Sequence, residues 1–172
     1  MQWKRAREIR PNFSIFGPSI VPTDIKQGAI GDCYVLAALA SLAERPSRVH
    51  EMFYNAKNAS GCYLIKFYVN GIPTGVMVDD LFLCNGSDLI FARCKGDEFW
   101  VALIEKAYAK LLGSYTRLPS GSTFKVMHTL TGAPASNFDH DPFKNDENLK
   151  DAHWERLKSC DKQHMMMCLS SN

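Results

Sequence analysis

The amino-acid sequence predicts an α+β fold that is mainly helical and contains a small antiparallel sheet. Apolar residues recur at i, i+3, i+4 and i+7 over 33–44, and a second helical pattern covers 97–112. Between these segments, aromatic and β-branched residues form the short runs that are typical of strands. Because the strands cluster in mid-chain and do not alternate with the helices, a repeating βαβ architecture is excluded.

Length and composition describe one globular domain or a piece of a larger one. The chain has 172 residues, of which 46% are hydrophobic and 22% are charged, and this excludes wholesale disorder and a coiled coil. The net charge of +2 does not favour nucleic acid or an anionic membrane as a partner. The longest apolar run, Tyr34–Ala43, has ten residues, about half of what a membrane-spanning helix needs.

The cellular compartment is predicted from the N-terminus and the cysteines. The first residues lack the apolar stretch of a secretory signal, and the six cysteines include no C-x-x-C pair. Their spacing fits neither a zinc site nor a disulfide scaffold. We therefore expect free thiols in a reducing, cytoplasmic setting.

The N-terminal part of the chain changes from irregular to helical. Residues 1–23 hold several turn formers and little periodicity, which predicts an irregular leading segment. The first long helix begins at Cys33, with Asp32 in the N-cap position and Pro46 ending it. A short helix is predicted from Pro46 to about Tyr54.

Two strand-like runs follow, at Cys62–Val69 and Thr74–Val78. The Asn-Gly turn signal between them predicts a hairpin, and Pro73 predicts a loop longer than two residues. Leu89–Ala92 is the candidate for a third strand.

The second half of the chain is predicted to be largely helical. The strongest pattern, Asp97–Leu112, ends at Gly113, a residue suited to a C-cap. Weaker helical patterns cover Thr123–Leu130 and Leu149–Ser159, and a terminal strand is predicted at His164–Leu169.

The stretch at 24–41 carries the chemistry. Cys33 begins a helix directly after a turn that contains Gly28 and Gly31, and the positive end of a helix favours a thiolate. Across that turn, the Gln27 amide and the Cys33 backbone N–H are predicted to converge as an oxyanion hole. The alternative is a buried structural cysteine that starts an apolar helix, since free cysteine is among the most buried residue types.

These residues also carry a family resemblance. The stretch Q-G-A-I-G-D-C-Y-V-L-A-A-L-A-S-L, at 27–42, resembles the active-site segment of the calpain family of cysteine proteases. Further blocks are similar in order and approximate spacing: W-K-R-A-R-E-I at 3–9, V-D-D at 78–80, D-E-F-W-V-A-L-I-E-K-A-Y-A-K-L-L-G-S-Y at 97–115, S-G-S-T at 120–123 and L-T-G at 130–132. The resemblance implies that residues 1–172 are the first, cysteine-bearing lobe of a papain-like, calpain-type catalytic domain, with the second lobe absent.

The resemblance implies roles for three residues in peptide-bond cleavage. Cys33 corresponds to the family's nucleophile, and Gln27 corresponds to the glutamine of its oxyanion hole. Gly121 corresponds to a glycine whose backbone helps to hold an extended substrate. The family's catalytic histidine and asparagine belong to motifs like G-H-A-Y and N-P-W-G, and neither motif occurs in these 172 residues. We therefore expect the chain to be inactive alone.

The resemblance also implies a calcium ion in each lobe, which aligns the two lobes. The carboxylates of Asp24 and Glu98 match its ligands in the first lobe, and backbone carbonyls around Gly17 and Ser19 would complete the site. Carboxylate and carbonyl oxygens are the hard ligands that calcium takes. The alternative is that the two carboxylates only stabilise the positive ends of helices.

Two functions stay open from the sequence. The first is a calcium-dependent cysteine endopeptidase that acts on intracellular proteins, and the second is a non-enzymatic calpain-like module that binds calcium or protein segments. A local base is conceivable at His164, which lies 131 residues after Cys33, a spacing found in papain-like proteases. However, His164–Met167 resembles the last strand of the first lobe rather than a histidine turn.

Overall fold

A computed structural model of the chain describes residues 1–56, 60–137, 146–163 and 165–168. The helices are α1 (Ala6–Ile9), α2 (Cys33–Ala43), α3 (Pro46–His50), α4 (Trp100–Leu112), α5 (Thr123–Thr131) and α6 (Glu147–Lys162). Short 3-10 turns lie at Pro22–Asp24 and Tyr115–Arg117. Across the described ranges, no helix combines the length and the apolar character that crossing a membrane requires.

The strands are short and antiparallel. They are β1 (Gln2–Arg5), β2 (Ile25–Lys26), β3 (Cys62–Val69), β4 (Ile72–Asp79), β5 (Leu81–Asn85), β6 (Asp88–Leu89) and β7 (Arg93–Cys94). Within the described residues they form three small sheets, in the orders β1-β5-β6, β2-β7 and β3-β4. The predicted α+β class is confirmed, with the strands divided among several sheets instead of one.

The hairpin of β3 and β4 has a tighter turn than the sequence predicts. Val69 pairs with Ile72, so the loop has only the two residues Asn70 and Gly71, whose φ angles are 51° and 77°. These positive angles are those of a type I′ turn, which matches the twist of the flanking strands. Pro73 is part of β4 and not of the loop, and a strand edge tolerates its missing N–H.

The leading segment is more regular than predicted. Residues 2–9 form β1 and α1 because β1 pairs along β5, from Gln2 opposite Cys84 to Arg5 opposite Leu81. The Arg5 guanidinium also donates to Oδ1 of Asp80 over 2.8 Å. Because the strand that pairs with β1 lies about 80 residues further along the chain, the sequence around β1 shows no periodicity that would predict it.

The predicted third strand, Leu89–Ala92, is wrong as a continuous element. β6 ends at Leu89 and β7 begins at Arg93, because the backbone N–H groups between them take unrelated partners. The N–H of Ile90 donates to the Leu83 carbonyl over 3.1 Å. The N–H of Ala92 donates to the Glu105 carboxyl group, whose two oxygens both lie 3.1 Å away.

The helix boundaries differ from prediction where tertiary or capping contacts intervene. The start of α4 is delayed to Trp100 because Ser14 pairs with the preceding residues: its N–H donates to the Asp97 carbonyl and its carbonyl accepts from Phe99. Helix α6 begins earlier, at Glu147, because the Asp146 side chain accepts from two N–H groups of the first turn. At the predicted terminal strand, the described residues 165–168 are not strand, and both ends lie outside the described residues.

The core lies between α2, α4 and the β3-β4 hairpin. Leu39 and Leu42 of α2 are buried, as are Leu103 and Ile104 of α4. Helix α5 packs against α2 and β3, whereas α6 buries none of its residues. The helix that starts at Cys33 is therefore anchored along its length by the central core.

We predict that Leu39→Ala lowers the free energy of unfolding by about 2–5 kcal/mol, because it leaves a cavity in the packed core. Urea unfolding followed by circular dichroism measures the loss. The control is Leu149→Ala, at a leucine that is 45% exposed on α6, where a change within about 0.5 kcal/mol is expected. Equal losses at both positions would contradict the central place of α2.

Candidate active site

The thiol of Cys33 is exposed at the first position of α2. Only the following turns of the helix enter the core, through Val35 and Leu36. The first backbone N–H groups of a helix have no partner within it, and together they carry about half a positive charge. The exposure of Cys33 contradicts the alternative that it is a buried structural cysteine.

The remaining cysteines have other surroundings. Cys84 and Cys94 are buried, Cys62 is exposed on β3, and Cys160 and Cys168 are partly buried. Burial raises the pKa of Cys94 to about 12 and also raises the pKa of Cys84. Both buried thiols are therefore kept in the neutral, unreactive form at physiological pH.

The turn before Cys33 is held by hydrogen bonds and close packing. The Gln27 amide donates to the Ile30 carbonyl over 2.7 Å, which uses one of its two N–H groups. The Ala29 N–H donates to the Ile90 carbonyl over 2.8 Å. A Cβ atom at Gly28 would overlap the backbone of Phe91, so only glycine allows the turn to lie this close.

Gly121 lies against Tyr34, the residue that follows Cys33. The Tyr34 hydroxyl donates to the Leu118 carbonyl over 2.9 Å, and the Ser120 N–H donates to the Gly31 carbonyl over 3.3 Å. Gly121 is exposed, and a Cβ atom there would overlap the Tyr34 ring. The structure thus brings Gly121 close to Cys33 and the turn before it, although they are distant in sequence.

The two carboxylates that the resemblance assigns to calcium lie on segments that pair with each other. Strand β2 pairs with β7, and the Asp24 carbonyl accepts from the Lys95 N–H over 2.9 Å. Burial is the main reason that the pKa of Cys94 is raised, and a backbone hydrogen bond lowers it. The negative charges of Glu98 and Asp24 raise it further. Both carboxylates therefore lie within electrostatic range of the same thiol.

Gly17 forms a cradle for one of these carboxylates. A Cβ atom at Gly17 would overlap Oε1 of Glu98, and one at Gly96 would crowd Oε2. Ser19, the other residue that the resemblance assigns, is exposed two residues further along. Among the described residues, no three His, Cys, Asp or Glu side chains cluster as metal ligands. Any further ligands would be main-chain carbonyls or water, which suits a hard cation such as calcium.

Sequence reasoning missed a buried acidic pair, one member of which directly precedes Cys33. Asp32 is 0% exposed and Glu105 is 1% exposed, and their carboxyl groups lie within hydrogen-bonding reach of each other, although no N–H or hydroxyl group of the described residues donates to Asp32. Burial first, and then the neighbouring Asp32 carboxyl group, raise the pKa of Glu105 to about 9. A signal existed in the sequence: Glu105 is a lone acid at helical spacing from the apolar Val101 and Tyr108.

Asp32 also differs from its predicted role. It occupies the N-cap position of α2, but its side chain makes no capping hydrogen bond. Its backbone carbonyl accepts from the Val35 N–H over 2.8 Å, so the helix starts where predicted without help from the carboxylate.

The described histidines have their own surroundings. The His50 ring packs edge-on against Phe16, with centroids 4.2 Å apart, and Nδ1 of His128 lies 2.8 Å from the Ala133 carbonyl oxygen. His153 lies on α6. His140 and His164 lie outside the described residues.

Comparisons with known proteins identify the family of the chain. The family described as calpain family cysteine protease matches residues 1–172. Calpain-8 of Rattus norvegicus is 37% identical over 142 residues, which are 80% of this chain and 20% of that protein. The calpain-1 catalytic subunit of Homo sapiens is 37% identical over 137 residues, or 77% of this chain and 19% of that protein.

The chain therefore spans about a fifth of the length of these curated relatives. Within that fifth lie the exposed cysteine at a helix N-terminus and the glutamine-bearing turn before it. With the match extending over every residue of the chain, the protein belongs to the calpain family of cysteine proteases.

Proposed function

We propose that residues 1–172 form the cysteine-bearing lobe of a calcium-dependent, calpain-type endopeptidase that cleaves intracellular proteins in the cytoplasm. The observation that carries this proposal is the exposed thiol of Cys33 at the start of a helix whose other turns are buried. A module that only bound protein segments would have no need of an exposed thiol at that position.

In the proposed reaction, the Cys33 thiolate attacks the carbonyl carbon of the scissile peptide bond, and the π electron pair moves to the carbonyl oxygen. The Cys33 backbone N–H and the second N–H of the Gln27 amide stabilise the resulting oxyanion. When the intermediate collapses, the C–N bond breaks and the amine leaves with a proton. That proton comes from a histidine supplied by a second lobe, since the 172 residues contain no G-H-A-Y motif.

Gly121 is proposed to hold the substrate backbone. It is exposed and lies beside Tyr34, one residue after the nucleophile. The preceding Ser120 has a φ of 66°, and this turns the chain at the edge of the nucleophile region. A glycine backbone at such an edge can pair with an extended peptide without a side chain in the way.

Calcium is proposed to bind between the carboxylates of Asp24 and Glu98 and the carbonyls of Gly17 and Ser19. The packing of Gly17 against the Glu98 carboxylate supports this donor set. A bound calcium ion would supply positive charge that holds these hard oxygen ligands together. Because Asp24 is only three residues before Gln27, this would also stabilise the start of the nucleophile turn.

We predict that the 172-residue chain alone hydrolyses a fluorogenic peptide negligibly, because general acid–base catalysis is worth about 10²–10⁴-fold and the substrate is not positioned from the other side. Fusion to the second lobe of a calpain-family protease is expected to give turnover. In that fusion, Gln27→Ala should lower kcat by about 10²–10³-fold.

Cys33→Ala is the control for contaminating protease. Turnover by the chain alone that disappears in Cys33→Ala would show that a local histidine completes the site. An inactive fusion would favour the binding module instead.

We predict that Asp24→Ala and Glu98→Ala each weaken calcium binding more than about tenfold, since affinity depends on the number of charged ligands. Isothermal titration calorimetry with calcium chloride measures the dissociation constant. Asp151→Ala and Glu155→Ala, at exposed acids of α6, serve as controls and should leave it unchanged. Equal effects at all four positions would indicate only diffuse attraction by surface acids.

A second pair of variants tests the cradle. Gly17→Ala should weaken calcium binding because its Cβ would displace the Glu98 carboxylate. Gly31→Ala places a methyl group where no atom lies within 4 Å, and calcium binding should persist. Unchanged binding in Gly17→Ala would remove Glu98 from the site.

A further inference from the structure

The buried pair of Asp32 and Glu105 joins the nucleophile turn to α4. Asp32 immediately precedes Cys33, and Glu105 lies in the middle of α4. Burying two ionised carboxylates in contact is costly because like charges repel and each has lost its water. One shared proton removes most of that cost, as it converts the repulsion into a hydrogen bond between an acid and a carboxylate.

The surroundings of the pair show which carboxyl group holds the proton. Both oxygens of Glu105 lie 3.1 Å from the Ala92 N–H. Neither oxygen of Asp32 accepts from an N–H or hydroxyl group of the described residues. A proton on Glu105 gives Asp32 the donor that it otherwise lacks, and it leaves the negative charge on Asp32, which lies at the positive N-terminus of α2. A proton on Asp32 would move that charge to Glu105, in the middle of α4.

Two tyrosines of the described residues respond electrostatically to the pair. Tyr115 stacks on Phe91 with centroids 4.0 Å apart; burial raises its pKa, and the charges of Glu105 and Asp32 raise it further. Burial likewise raises the pKa of Tyr34, and the charges of Asp32 and Cys33 raise it further. Within the described ranges, no salt bridge reaches either carboxyl group of the pair, so a cation does not replace the proton.

The position of Asp32 makes this arrangement unusual. An aspartate at an N-cap ordinarily accepts from the N–H groups of the second or third helical residue. Here the Asp32 side chain makes no such bond and is buried toward Glu105 instead. The first-turn N–H groups of α2 are therefore not occupied by the carboxylate of the preceding residue.

We propose that Glu105, as the protonated partner, is a positioning residue that holds the Asp32 carboxylate inward and so reserves the N-terminus of α2 for the Cys33 thiolate and the substrate oxyanion. This inference rests on the proposed role of Cys33 as nucleophile. The proposal also predicts an effect that can be measured without peptide cleavage. Loss of the Glu105 donor would free the Asp32 carboxylate to cap α2, and this would place a negative charge beside the Cys33 thiol.

The first test measures iodoacetamide alkylation at pH 7, resolved by mass spectrometry as the rate at Cys33 relative to exposed Cys62. In Glu105→Leu the thiolate fraction of Cys33 should fall about tenfold, and a partly compensating rise in nucleophilicity leaves alkylation about threefold slower. In Glu105→Gln the amide still donates to Asp32 and its oxygen still accepts from Ala92, so the wild-type rate should be kept. A Glu105→Gln variant as slow as Glu105→Leu would overturn the proposal.

The double variant Asp32→Ala/Glu105→Leu separates positioning from general damage. It lacks the carboxylate that would otherwise cap α2, so alkylation at Cys33 should return at least to the wild-type rate. If Glu105→Leu acted by loosening the core, the double variant would stay slow, and that result would overturn the proposal.

The second test measures stability against pH and does not depend on Glu105→Leu folding. The pKa of Glu105, raised to about 9 mainly by burial, means that the folded chain keeps a proton that the unfolded chain releases near the ordinary value. This contribution to stability is fully present below that ordinary value and is lost as pH rises toward 9. Between pH 6 and 8 the unfolding constant of wild type, divided by that of Glu105→Gln, should rise about tenfold per pH unit.

The matched control is Glu44→Gln at the exposed residue that follows α2, whose unfolding profile should parallel that of wild type. Parallel profiles for wild type and Glu105→Gln would show that Glu105 is ionised in the folded chain and would overturn the proposal. Neither test measures cleavage, so an inactive fusion protein together with these results would reject the proposed protease and leave the proton-sharing pair standing.

Discussion

The N-terminus of α2 must satisfy two opposing physical demands. The helix supplies central core residues, and Leu39 is completely buried, whereas its first residue, Cys33, is exposed. A rigid helix meets both demands because burial of its later turns fixes the direction of the first. Cys33 therefore gains a defined position without losing contact with solvent, and it lies at the positive end of the helix dipole.

The turn before the thiol is held from several directions. Gln27 bonds within the turn, Ala29 bonds to the segment between β6 and β7, and Gly31 bonds to Ser120 before α5. Each of these partners belongs to a different part of the chain. Because the bonds are distributed, the conformation of the turn depends on the completed fold rather than on the propensity of its own residues.

The candidate calcium ligands and the turn at 27–32 before Cys33 are parts of one continuous arrangement. Strand β2 begins directly after Asp24 and ends directly before Gln27, and its pairing with β7 brings the region of Glu98 to the same side. A change at the carboxylates therefore reaches the glutamine through a strand of two residues. At the other end of the turn, Asp32 pairs with Glu105 of α4. Acidic side chains therefore lie at both ends of the turn: Asp24 before it and Asp32 at its end.

The sequence by itself determined what local physics controls. The start of α2 at Cys33 was predictable because a glycine turn and an apolar period act within a few residues. The β3-β4 hairpin was predictable for the same reason, and the long blocks around Cys33 and along α4 were enough to indicate the family. Only the tertiary structure decided that β1 pairs with β5, that Gly17 packs on Glu98, and that Asp32 faces Glu105 instead of capping its helix. These contacts join residues far apart in sequence, and their energies depend on burial and desolvation, which arise only when the whole chain has packed.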